Sequence, residues 1–159
     1  MAKGSSDAGF AARGPGFCAV VNRLCDTALN LAKIMNPKLS EFTAPQCEAL
    51  LDLLVLATYL DQHLGMAEDV RVAGLLTAMG YATVYDRQRQ FDASVNRVRQ
   101  YTENAQLARN HGLKLAECFT TRDQGQQVYA LLEDLITCDG QIATAESQFL
   151  AVLRDVFEL

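Results

Sequence analysis

Along most of this chain apolar residues return every three or four positions, the period of a helix that buries one face. In residues 17–35 they fall at 17, 20, 21, 24, 28, 31 and 35, one stripe of a helix. Asn36-Pro37 ends that stripe, because the residue before proline is pushed out of the helical region. Thr43 followed by Gln46 makes a capping box, with Pro45 in the first turn where its missing N–H costs nothing. The helix opened there is predicted to run to about Leu60. Its apolar residues at 50, 51, 53, 54, 55 and 56 cover nearly the whole circumference, so it belongs at the centre of the domain. A further helix is expected over residues 66–79, stopped by Gly80 as a C-cap. Residues 84–119 read as two helices broken near Tyr101-Thr102, with Phe91, Val95, Val98, Leu107, Leu115 and Phe119 as a thinner apolar stripe. Helices over about 122–138 and 144–157 complete the pattern. The expected fold class is all-α, a bundle of roughly seven helices with short turns and no strand. Residues 1–16, rich in Gly, Ala and Ser and without a period, are expected to be a flexible N-terminal tail, and residues 17–159 a single helical domain.

Composition narrows the class. Half of the 159 residues are hydrophobic and 21% are charged, which suits a folded globule rather than a disordered chain. The net charge of −5 argues against a nucleic-acid partner. Five cysteines, an odd number with no C-x-x-C pair, suit reduced thiols in the cytoplasm better than a disulfide framework. The N-terminus lacks the long apolar core of a signal peptide. The most apolar stretch, residues 49–60, is 12 residues long and contains Asp52. A membrane span needs roughly 20 apolar residues, so this stretch reads as a buried core helix and no direct membrane insertion is expected.

An internal repeat carries the chemistry. Residues 51–80 match residues 129–158 at seven of 30 positions: Leu53/Leu131, Leu54/Leu132, Asp61/Asp139, Ala67/Ala145, Glu68/Glu146, Ala73/Ala151 and Leu75/Leu153. Leu64/Ile142 and Val72/Leu150 are conservative pairs. In each copy a helix ends at Asp, the chain turns, and Glu enters the next helix. Gly140 can take the left-handed conformation that ends a helix, with Ile142 packing back on the last turn. Glu146 falls at the N3 place after Ala143, where it can accept from the exposed N–H groups, and Gly65 takes the cap place before Glu68. Helix capping therefore accounts for the two glutamates. It accounts less well for Asp61 and Asp139, whose charge meets the negative end of a helix dipole at a cost of about 0.3–1 kcal/mol.

The acid is concentrated in the two copies. Residues 43–80 hold five acids against Arg71, and residues 121–159 hold seven against Arg122 and Arg154. If the copies pack about a pseudo-two-fold axis, Asp61, Glu68, Asp139 and Glu146 approach one another. Clustered carboxylates either raise their pKa values or attract a cation. Oxygen-only donors favour a hard divalent ion such as Ca²⁺, Mg²⁺ or Mn²⁺. Two separate, solvated acidic turns are the alternative. The spacing from Asp139 through Gly140 to Glu146 imitates the second half of an EF-hand loop, but that loop's first two ligand places would be Leu135 and Thr137, and leucine cannot ligate. The first copy departs further, with Ala57 at the first ligand place and Gln62 at the glycine place.

The string CDGQIATAESQFLAVLRDVF resembles the signature of TerB-like domains, the helical tellurite-resistance family. That family's hallmark is a helix, then Asp-Gly-x-Ile-x-x-x-Glu, then a second helix, often in two copies. The resemblance spans about residues 43–159 and is strongest at 127–157. The first copy departs from it, with Gln62-His63 for Gly-x and Leu64 for Ile, so that His63 is either an added ligand or a surface residue. The resemblance implies an all-α bundle with no known catalytic cycle and a role in resistance to tellurite, related chemical stress and phage. It also implies cation binding through the acidic turns. The implied partners are other tellurite-resistance proteins, including a membrane-embedded one that would hold the chain at the inner face of the membrane.

No Ser-His-Asp or Cys-His arrangement of recognisable spacing, phosphate loop or i, i+4 histidine pair stands in the sequence; His63 and His111 are isolated, and Cys138 reads as a small core residue. Arg87, Arg89, Arg97 and Arg99 cluster on one predicted helix, as a solvated face or a dock for an anion or an acidic protein. Three functions stay open. The first is a non-enzymatic, cation-responsive stress adaptor that docks other proteins. The second is a metal-dependent hydrolase using the same carboxylates. The third is a purely structural helical scaffold.

Overall fold

A computed structural model describes residues 39–60, 66–138, 140 and 142–159. Six α-helices stand among them: α1 (Ala44–Leu60), α2 (Met66–Ala78), α3 (Val84–Val98), α4 (Ala105–Ala116), α5 (Arg122–Thr137) and α6 (Thr144–Val156). Short 3-10 turns occupy Leu39–Glu41 and Arg99–Tyr101, and there is no strand among the described residues. The helix expected over residues 17–35 and the tail before it lie outside the described residues. None of the described helices is long and apolar enough to cross a membrane.

Each boundary has a local cause. Gln46 Oε1 accepts from the Thr43 N–H at 3.0 Å, opening α1 as its capping box predicts. Thr83, Asn104 and Thr121 cap α3, α4 and α5, accepting from the N–H groups of Asp86, Gln106 and Gln124. Gly80 and Gly140 end α2 and α5 in the left-handed region, at φ +99° and +78°. Ile142, expected to clasp the last turn of α5, is instead 54% exposed. Gly140 N–H donates to Thr137 O at 3.0 Å and closes the turn without a clasp from Ile142.

The core forms around α1. Every residue from Ala49 to Thr58 is buried, and the helix packs against α3, α4, α5 and α6. This agrees with the apolar residues found all round it. On α4 the expected stripe is corrected: Leu107 is 46% exposed, and the buried face is Ala108, Gly112 and Ala116. Small residues there let α4 close on α6, with Gly112 directly under the Phe149 ring. At the end where α1 and α5 begin, Phe42 packs on Phe119 at 5.6 Å and Phe119 meets Phe157 edge-on at 6.3 Å.

Residues 78 positions apart meet at that same end. Gln46 Nε2 donates to Cys118 O at 3.0 Å and to Gln124 Oε1, 78 residues on, at 3.3 Å. The bounds of α2 and α6 are offset by the same 78 residues at both ends. Leu53 and Leu131, Leu54 and Leu132, Val72 and Leu150, and Leu75 and Leu153 are all buried.

Candidate functional site

The two glutamates of the acidic turns enter α2 and α6 in their first turns and are both buried, Glu68 to 5% and Glu146 to 3% exposure. Ala143 N–H donates to Glu146 Oε2 at 2.8 Å, the capping contact expected from the N3 position. Asp61, His63 and Asp139 lie outside the described residues. Arg71, one turn beyond Glu68, pairs with Asp134 in the last turn of α5 at 3.3 Å, tying α2 to α5. Both partners are partly exposed, so this pair fixes position more than it stabilises. Among the described residues no three His, Cys, Asp or Glu side chains gather in a metal-holding group. The donor chemistry nevertheless suits a hard cation. Carboxylate oxygens are the donors such an ion prefers, and one oxygen of Glu146 is engaged in the cap.

A second polar constellation lies inside the bundle, and nothing in the helical pattern announced it. Asp52, halfway along α1, is 5% exposed. Ser94 Oγ on α3 donates to its Oδ1 at 2.6 Å. Arg97, one turn further, donates from Nε to Oδ2 at 2.9 Å and from Nη2 to Oδ1 at 2.7 Å. This is the forked geometry in which guanidinium and carboxylate bind most strongly. Hydrogen bonding to Asp52 holds the Arg97 pKa above its usual value. Ser94 is fully buried and donates to a carboxylate that Arg97 also holds, so it acts as a strut between α1 and α3.

The arginine cluster is thereby corrected. Arg87 is buried, its Nη1 donating to Tyr81 O at 3.1 Å and Ala82 O at 2.7 Å, where it holds the turn between α2 and α3. Arg97 is turned inward on Asp52. Only Arg89 and Arg99 are exposed, so the four do not form one basic face. Cys47 sits half-buried in α1, where burial pushes its thiol pKa up, away from thiolate chemistry.

His111 of α4 lies flat on Tyr101, ring centroids 3.7 Å apart and planes 13° apart. Burial lowers its pKa; Asp52 opposes that and Lys114 adds to it. The folded protein therefore holds the proton less readily than the unfolded chain. The stabilisation is fully present above the ordinary histidine value of about 6.5 and is lost as pH falls through the lower folded-state value. Thermal melts between pH 7.5 and 5 are expected to show this decline, and His111→Phe to flatten it.

No protein-family model, no curated protein and no solved structure matches the chain.

Proposed function

We propose that this chain is a non-enzymatic, cation-responsive adaptor of the TerB-like type. In this reading a duplicated helix–acidic turn–helix hairpin shares one divalent cation between its turns, and the outer surface docks proteins of a stress-response system. The partners are other tellurite-resistance-type proteins, one of them embedded in the membrane, which places the adaptor at its cytoplasmic face. The observation that carries the reading is the correspondence at an offset of 78: Gln46 bonds Gln124, α2 and α6 share their bounds, and each begins with a buried glutamate. In this reading Gln46 and Gln124 lie beside a pseudo-two-fold axis that brings the two turns to one end of the bundle. The Arg71 to Asp134 pair supports that arrangement.

Asp61, Glu68, Asp139 and Glu146 are the proposed ligands. Ca²⁺, Mg²⁺ or Mn²⁺, when bound, would supply two positive charges that offset half of the charge of four carboxylates and tie one hairpin to the other. An ion that binds only the folded state stabilises it by about 2.7 kcal/mol at a hundredfold excess over Kd. For a domain of this size the melting temperature should then rise by about 8 °C. Melting curves in millimolar calcium, magnesium and manganese test this, with Asp61→Asn and Asp139→Asn each expected to remove the rise. Identical curves for the wild-type protein in all three ions would leave helix capping as the whole role of the turns.

A further inference from the structure

We draw no further inference here: the strongest candidate, the surface patch of α3 formed by the exposed Tyr85 with Arg89, Asp92 and Asn96, carries none because nothing in the structure shows what covers it.

Discussion

Arg97→Met is expected to destabilise the fold by about 3 kcal/mol, lowering the melting temperature by about 10 °C. The cause is not the loss of a salt bridge as such. Asp52 stands in the most deeply buried helix of the molecule, its side chain 7% exposed, and Arg97 supplies three of the four hydrogen bonds that satisfy it. Methionine matches much of the stem and removes the charge, leaving a carboxylate with Ser94 alone. Removing one partner of a buried pair costs about 3–5 kcal/mol. Arg97 is itself 38% exposed, so water entering along its path places the effect at the low end. Asp52→Leu combined with Arg97→Met should recover most of the loss, because then neither charge is stranded and Ser94 can turn to a carbonyl of its own helix. Urea unfolding of the wild type, both single variants and the double variant closes the cycle. Equal midpoints for wild type and Arg97→Met would mean that water satisfies Asp52 and the network carries no stability.

That network marks where the sequence stops being legible. The helices are readable because their signals are local: a 3.6-residue period, threonine caps, glycine and proline stops. Asp52 is visible as an acid in an apolar run, but its partner lies 45 residues away on α3. There the arginines look like a solvated face until the helix is rotated against α1. On α4 the burying surface is made of Ala108, Gly112 and Ala116, which a search for large apolar residues passes over. The capping role of Glu146 was legible in its N3 spacing from Ala143. The offset of 78 runs further than the aligned block, to the cap residues Thr43 and Thr121 and to Gln46 and Gln124. Two isolated polar identities carry little weight in sequence and become informative once one of the pairs is seen in contact.

The same small-residue face makes the second large effect predictable in sign. Gly112→Ala should improve the intrinsic helix propensity of α4 by about 1 kcal/mol. A Cβ at that place, however, would press on Phe149 Cε2 and stand 2.8 Å from Cζ. Phe149 is 2% exposed, so its ring has little room to swing aside. Overpacking of this kind costs about 1–3 kcal/mol and more where both backbones are held. Here α4 is held by the packing of Ala108 and Ala116, and α6 by Leu150 and Leu153. The clash should therefore outweigh propensity, leaving Gly112→Ala less stable than wild type by about 2 kcal/mol, or about 6 °C in melting temperature. Phe149→Leu removes the ring edge that meets the new methyl group. Added to Gly112→Ala it should cost less than Phe149→Leu costs alone, a favourable coupling that thermal melts of the four proteins measure directly. A higher melting temperature for Gly112→Ala would mean that α4 and α6 can slide apart at no cost and that propensity, not packing, governs their contact.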